Sequence, residues 1–186
     1  MAIRSAPELE AGLSRIREAP VDGGRLDLIV RRPAVDQRES VEAAVLDPHD
    51  GLVGDGWRVR GSKHTSDGSA HPGCQITLMN SRAAQLIAGS QDRWPLSGDQ
   101  LFVDLSLGAA TLPPGTRLSI GEAVLEISDM PHRGCSKFAA RFGHDALRFV
   151  NTQAGLELNL RGIYARVIAG GWVRQGDELH KIPSRA

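Results

Sequence analysis

The segment PHRGCSKFAARFG, residues 131–143, places a cysteine between two cationic side chains. Arg133 precedes Cys135 and Lys137 follows it, while His132 adds a further group that can carry positive charge. A free thiol has an ordinary pKa of about 8.5, and nearby cations or a helix N-terminus lower that value. The segment therefore predicts a reactive, exposed thiolate at Cys135.

The residues behind the cysteine predict a short helix. Phe138 and Phe142 are one helical turn apart, and Gly143 is a typical helix stop. Such a helix begins at Cys135, where unpaired backbone N–H groups and the helix dipole favour an anion. The alternative stays open that Cys135 only fills space at a loop-to-helix junction, because free cysteines are often buried.

A Cys-His hydrolase is a further alternative for this segment. His132 lies three residues before Cys135 and could act as its base. That chemistry usually joins residues distant in sequence and needs a third group that orients the histidine. The sequence shows no such group.

The chain has two cysteines among 186 residues, too few for a disulfide scaffold, and no CxxC pair. This usage favours a reducing, cytoplasmic location, and we expect Cys74 and Cys135 not to be bonded to each other. Cys74 is interpreted as an inert residue that opens a strand. It could instead bind zinc together with His64 and His71, although their spacing matches no standard zinc pattern.

The overall charge argues against several classes of partner. Lysine and arginine number 22, as do aspartate and glutamate, so no net field attracts nucleic acid or an acidic membrane. The basic cluster RVRGSKH, residues 58–64, lacks the interleaved aromatic residues of nucleic-acid sites. No apolar run is long enough to span a bilayer or to serve as a signal peptide. We predict a soluble cytoplasmic protein with a small-molecule substrate.

The elements that must position these residues follow from the hydrophobic pattern. A helix is predicted near residues 7–19, and strands are predicted around residues 26–30 and 41–45, the second with Val41, Ala43 and Val45 on its buried face. Residues 47–73 show no periodicity, and a loop of that length is usually functional or disordered.

From Cys74 onwards the pattern predicts a strand, a helix capped by Asn80 or Ser81, and then a series of short strands with a tight turn at Gly121–Glu122. Many short strands with few helices indicate a mainly β (α+β) fold, a small closed or nearly closed β-barrel with a few peripheral short helices. Residues 1–20 are predicted to form an appended helix, and residues 21–186 a single domain.

Four stretches of the chain resemble the MOSC domain, the module found at the C-terminus of molybdenum cofactor sulfurases and in molybdenum-cofactor-dependent reductases. They are GLVGDGW, CQITLMNSRAAQLI, LPPGTRLSIGEAVLEISDMPHRGCSKF and LRGIYARVIAGGWVRQGDEL, which occur in the family's order between Gly51 and Leu179. The resemblance implies a pyruvate-kinase-barrel-like fold and one essential cysteine that either binds molybdenum or carries sulfur. Cys135 occupies that position.

The resemblance also implies a site for molybdenum cofactor, whose dithiolene-held metal suits a soft thiolate ligand. Its phosphate requires cations and N–H groups. The candidate cofactor-binding residues are His132, Arg133, Lys137, Asn159 and Arg161, with Arg58, Arg60 and Lys63 from the long loop. Gly54 and Asp55 match a G-x-x-G-D segment near the family's pocket, where Asp55 either orients backbone N–H groups or caps a turn.

The sequence departs from the family pattern in three places. Gly98, Asp99 and Gln100 stand where many members carry a basic segment, and Gly134 replaces a bulkier residue, which predicts a mobile turn. The pyridoxal-phosphate domain of the sulfurases is absent, so no pyridoxal phosphate is expected to bind.

Two functions follow from the resemblance. In the first, the protein binds molybdenum cofactor through Cys135 and reduces small oxygenated nitrogen or sulfur compounds. Since the chain has neither a dinucleotide fingerprint nor a ferredoxin-type cysteine cluster, a separate protein must donate the electrons. In the alternative, Cys135 carries a persulfide received from a sulfur-donor protein. A third, lower alternative is a non-catalytic binding domain.

Overall fold

The computed structural model describes residues 3–62 and 64–183. The helices are α1 (Ala6–Ala11), α2 (Leu13–Arg17), α3 (Trp57–Arg60), α4 (Ser81–Ala88), α5 (Ser136–Asn151) and α6 (Gln153–Glu157). The strands are β1 (Gly24–Arg31), β2 (Glu39–Val41), β3 (Ala43–Asp47), β4 (Gly51–Leu52), β5 (Ile76–Asn80), β6 (Leu101–Asp104), β7 (Arg117–Ile120), β8 (Ala123–Ile127), β9 (Ile163–Ala169), β10 (Gly171–Arg174) and β11 (Glu178–Ile182). Short 3-10 helices span Pro72–Cys74 and Gln91–Ser97.

Seven strands close into a β-barrel in the order β1, β6, β5, β9, β8, β7 and β11. The pairing of Gly24 with Leu179 joins β1 to β11 and completes the ring. Neighbouring barrel strands are antiparallel except β5 and β6, which are parallel. Strand β2 continues the sheet beyond β1, and β10, β3 and β4 form a separate small sheet. The predicted closed barrel with a few short helices is confirmed.

Two hydrophobic cores stabilise this arrangement, one inside the barrel and one between its outer surface and the helices. Along β1, Leu26 and Ile29 belong to the inner core, and Leu28 and Val30 to the outer one. A β-bulge between Leu26 and Leu28 changes the alternation, which lets this strand serve both cores. The outer core holds α4 and α5 against the barrel.

The N-terminal helix is divided in two. Gly12 separates α1 from α2, and a Cβ atom at this position would lie 2.4 Å from Leu86 Cδ1, so a larger residue would require the Leu86 side chain on α4 to shift. Leu9 and Ile16 are buried in the outer core. The apolar spacing predicted their burial, and the break at Gly12 comes from tertiary packing.

The predicted buried face of the second strand was wrong. Val41, Ala43 and Val45 are only partly buried, whereas Ala44 and Leu46 are buried in the inner core. The predicted strand is interrupted at Glu42. The part before it, β2, pairs with β1, whereas the part after it, β3, pairs with β10. The two pieces therefore do not share one face.

Other local predictions are confirmed. Asn80 caps α4, because its side chain accepts a hydrogen bond from the Ala83 N–H, and Gly121–Glu122 forms the turn of the β7–β8 hairpin. After Gly170 the chain forms two strands, β10 and β11, which are separated by residues 175–177. In the ranges that the structure describes, every helix is too short or too polar to cross a membrane.

Candidate active site

A cleft of about 600 Å³ surrounds Cys135. It lies at the side of the barrel where β1 and β8 end and where β5 and β6 begin. Its walls come from the segment after β1, the long loop, the start of β5, the turn before β6 and the segment between β8 and α5. Parts of the chain that are distant in sequence thus meet at one cavity.

Cys135 is the N-cap residue of α5 and has extended backbone (φ −129°, ψ 176°). Its thiol is free and the residue is exposed. Phe138 and Phe142 anchor the first turns of the helix in the outer core, with ring centroids 4.9 Å apart. The prediction of an exposed thiol at a helix start is confirmed.

The helix continues further than predicted. Gly143 has non-helical backbone (φ 89°, ψ 166°), so the predicted stop occurs there, but helical structure resumes and reaches Asn151. The part of α5 that follows Gly143 packs against the turn before Cys135. A Cβ atom on Gly134 would lie 2.8 Å from side-chain atoms of both Leu147 and Val150.

Gly134 therefore packs closely against α5. Its N–H donates to Asn151 Oδ1 at 3.2 Å, and its carbonyl accepts from Asn151 Nδ2 at 3.4 Å. A larger residue here would require the Leu147 and Val150 side chains to shift, so glycine favours the close approach of α5, and the mobility of the turn stays a prediction. The backbone before Cys135 is held in place by the helix that follows it.

The cleft is strongly cationic. Six positively charged side chains line it, and no Asp or Glu side chain is among its described lining residues: the cations are Arg32, Arg60, Arg133, Lys137, Arg141 and Arg161. Two buried carboxylates, of Asp55 and Asp99, lie behind this lining and pair with some of the cations. An anion in the cleft thus meets cations first.

Asp55 holds one wall of the cleft. Its side chain is fully buried and forms a two-point ion pair with Arg32, with Oδ2–Nε at 2.8 Å and Oδ1–Nη2 at 3.1 Å. It also accepts hydrogen bonds from the backbone N–H groups of Arg32 and Trp57. Arg60 approaches it at 3.4 Å. Asp55 thus connects the end of β1 to the long loop and orients two cations, and it is not a surface turn residue.

Asp99 plays the same part for Arg161. Its buried carboxylate accepts from Arg161 Nη1 at 2.7 Å and from Ser97 Oγ at 2.7 Å. Arg161 also donates to the Ser97 carbonyl at 2.9 Å and lies over the Phe138 ring at 5.1 Å. The residue that departs from the family's basic segment thus supports a cation instead of replacing one.

His132 lies in the cleft, but it is not a cation there. Burial and the charges of Arg161 and Arg32 hold the pKa of its imidazole well below the usual value, so the ring is neutral at pH 7. The ring packs on Tyr164 with centroids 4.3 Å apart. Our expectation that His132 adds positive charge beside Cys135 was wrong, because the sequence did not reveal its burial.

Cys74 lies in the short 3-10 helix before β5 and lines the same cleft. The prediction that it opens a strand was therefore wrong by two residues. Both cysteines are free, and burial raises the pKa of the Cys74 thiol. Cys74 and Cys135 thus share one cavity, and Cys74 is the more buried of the two.

Several candidates are not brought to the cleft. Asn159 has left-handed backbone (φ 49°), and its amide donates to the Leu107 carbonyl at 2.7 Å. It borders a smaller cavity of about 180 Å³ on the other side of His132 and Arg133. Arg58 points elsewhere and pairs with Asp50 at 2.6 Å.

Lys63 lies outside the residues that the structure describes. His64, His71 and Cys74 all line the cleft, but their ligand atoms do not form a cluster close enough to hold one metal ion. Among the described residues such a cluster occurs at Asp47, His49 and Asp50, where Arg58 already pairs with Asp50 and contacts His49.

Comparison with known proteins agrees with this geometry. The family model of the MOSC domain matches residues 97–180, which include Asp99, Cys135 and Arg161. Residues 97–180 are thus similar to the MOSC domain. Arg32 and Asp55 lie outside the matched residues.

Solved structures share the fold of this protein. The YuaD protein from Bacillus subtilis is 16% identical with a TM-score of 0.61, over 86% of this chain and 97% of its own. YiiM from Escherichia coli is 18% identical with a TM-score of 0.55, over 87% and 71%. YiiM from Geobacillus stearothermophilus is 15% identical with a TM-score of 0.53, over 88% and 75%. No curated protein matches.

Sequence reasoning missed several residues of the cleft. Arg32 stood in a segment without a recognised motif, and Arg141 lay in the predicted helix after Cys135 but was not singled out. Tyr164 and Thr77 stood within predicted strands. Asp99 was noted only as a departure from the family pattern. A buried aspartate after a Ser-Gly turn could have signalled a structural partner for an arginine, but nothing in the sequence indicated which one.

Proposed function

We propose that this protein binds molybdenum cofactor in the cationic cleft, with Cys135 as the protein ligand of molybdenum. The observation that carries the proposal is an exposed thiol in a cavity lined by six cations and no described carboxylate. A soft thiolate suits a metal already held by sulfur, and arginine side chains suit a phosphate group.

Buried polar atoms support the fit of an anionic ligand. Arg161 Nε is buried and has no hydrogen-bond partner, although its guanidinium is held by Asp99 and Ser97. Unpaired buried donors are costly, so a donor left at the cleft is consistent with a bound group that accepts from it. We propose that Arg32, Arg60, Arg133, Lys137 and Arg161 bind the cofactor phosphate and pterin. Asp55 and Asp99 hold two of these cations in place.

The bound cofactor would supply two-electron redox chemistry at the metal. The chain's own residues would bind and orient it in the cleft, where a small substrate could reach it. For an N-hydroxylated substrate the net change is R–NH–OH + 2e⁻ + 2H⁺ → R–NH₂ + H₂O. With two cysteines in all, the chain cannot itself provide the four thiolates of a common iron–sulfur cluster. We therefore propose a separate electron-donor protein in the cytoplasm.

The test uses protein from a host that makes the cofactor, with a reduced dye as artificial electron donor. We expect reduction of an N-hydroxylated compound by the wild type and loss of activity in Cys135→Ser. Cys74→Ala is the matched control, since its thiol has a raised pKa and is less suited to bind metal. Dye oxidation that is equal in wild type and Cys135→Ser would overturn the proposal.

A sulfur-carrier function is the second candidate, supported by the exposure of Cys135. A persulfide on this residue would be accessible to a donor or acceptor protein, and the surrounding cations would stabilise its anionic form. Mass spectrometry separates the two functions. A gain of one sulfur atom on Cys135 after treatment with a sulfur donor, in protein without molybdenum, would favour the carrier.

A further inference from the structure

Three buried polar atoms without hydrogen-bond partners occur in adjoining residues at the wall of the cleft. They are Asp99 Oδ1, His132 Nδ1 and Arg161 Nε. The side chains of Asp99, His132 and Arg161 are 0%, 8% and 9% exposed. Since buried polar atoms normally have hydrogen-bond partners, these three unpaired atoms require an explanation.

The orientation of the carboxylate is fixed by its other oxygen. Oδ2 of Asp99 accepts from Ser97 Oγ and from Arg161 Nη1, both at 2.7 Å. The free oxygen, Oδ1, lies 3.8 Å from His132 Nδ1. It also borders Gly162, where a Cβ atom would lie 3.4 Å away. The free oxygen is therefore directed towards the imidazole.

The position of the His132 imidazole is also fixed by its neighbours. Its ring packs on Tyr164 with centroids 4.3 Å apart, and burial with the nearby Arg161 and Arg32 keeps it neutral. A neutral imidazole carries one proton, on either Nδ1 or Nε2. A lone pair on Nδ1 would face the carboxylate oxygen and be repelled, whereas an N–H would be attracted, directly or through one bridging water.

We propose that Asp99 is a positioning residue that fixes His132, a residue lining the cleft of Cys135, in the Nδ1–H tautomer and leaves Nε2 as a hydrogen-bond acceptor. This assignment does not depend on the proposed function.

The tautomer is tested by long-range ¹H–¹⁵N NMR of the full ¹⁵N-labelled chain, with the His132 ring assigned from a His132→Gln spectrum. We expect a protonated Nδ1 and an unprotonated Nε2 in the wild type. Asp99→Asn should move the ring towards the Nε2–H form. Asp129→Asn, which changes an exposed carboxylate near the same segment, should leave it unchanged.

A wild-type ring in the Nε2–H form would overturn the proposal, and so would an Asp99→Asn ring that keeps Nδ1–H. Should Asp99→Asn fail to fold, the wild-type spectrum alone decides. Ser97→Ala then serves as a second variant, since it loosens the carboxylate without removing its charge, and it should give a mixture of tautomers.

Discussion

Asp55 and Arg32 form a buried two-point ion pair that joins the end of β1 to the long loop at the wall of the cleft. The Asp55 side chain is 0% exposed and that of Arg32 is 10% exposed, with the shorter contact at 2.8 Å. Arg32 also donates to the Gly98 carbonyl at 2.6 Å, so the pair reaches the turn before β6. Three segments of the cleft wall thus depend on one carboxylate.

Asp55→Asn should destabilise the protein, because it leaves the Arg32 guanidinium buried without its counter-charge. Removal of one partner of a buried ion pair costs about 3–5 kcal/mol, which lowers the Tm of a domain of this size by roughly 10 °C. Asp50→Asn is the control, since Asp50 forms an exposed ion pair and should change stability by less than about 1 kcal/mol. Equal Tm values for wild type and Asp55→Asn would contradict this description of the wall.

The two thiols should differ in alkylation rate. Burial raises the pKa of Cys74, so less of it is thiolate at a given pH, and its reaction with iodoacetamide should be slow and rise only at higher pH. Cys135 is exposed and should react first near pH 7. Mass spectrometry of Cys74→Ala and Cys135→Ser measures each rate alone. Faster reaction of Cys74 would contradict the prediction.

We also predict that Cys74 and Cys135 stay unbonded in protein from a reducing cytosol. Both thiols are free in the structure, although they share the cleft. Intact-mass measurement with and without a reductant checks this prediction. A stable loss of two hydrogen atoms that the reductant restores would show a disulfide.

Arg60 and Arg58 offer a matched pair of substitutions on α3. Arg60 lines the cleft, whereas Arg58 pairs with Asp50 outside it. Arg60→Gln should lower the fraction of protein that retains cofactor several-fold, and the deficit should grow with salt, because salt screens the remaining cations. Arg58→Gln should behave as wild type. Equal cofactor content in both variants would exclude Arg60 from the binding site.

Stability should fall as the pH falls below about 6.5, because His132 is buried and its folded pKa is well below the unfolded value. The unfolded chain then binds a proton that the folded chain does not, at about 1.4 kcal/mol per pH unit between the two pKa values. Urea unfolding at pH 7.5 and 5.5 should show a smaller loss for His132→Gln. His144→Gln, at an exposed position, should keep the wild-type loss.

The sequence predicted the elements that local rules govern. The Asn80 cap, the hairpin at Gly121–Glu122 and the helix start at Cys135 depend on residues close together in the chain. Arg133, Lys137 and Arg161, which were predicted to share one site with Cys135, line the same cleft, and their binding of a cofactor stays a prediction. These residues lie on the stretch that carries the family resemblance.

What the sequence could not predict depends on contacts between distant segments. His132 was expected to be charged, yet its pKa is set by burial and by Arg32, one hundred residues away. The close packing of Gly134 against the second half of α5 was not predicted. Asn159 was assigned to the pocket, yet its amide is used by the Leu107 carbonyl. Each error concerns a partner that barrel closure or helix packing brings close.

The most direct test of the proposed cofactor site is the molybdenum content of protein purified from a cofactor-competent host, measured by elemental analysis. We predict close to one molybdenum per wild-type chain, the same content in Cys74→Ala, and only background in a folded Cys135→Ser variant. Wild-type protein without molybdenum, or Cys135→Ser protein that keeps it, would contradict the assignment of Cys135 as the metal ligand.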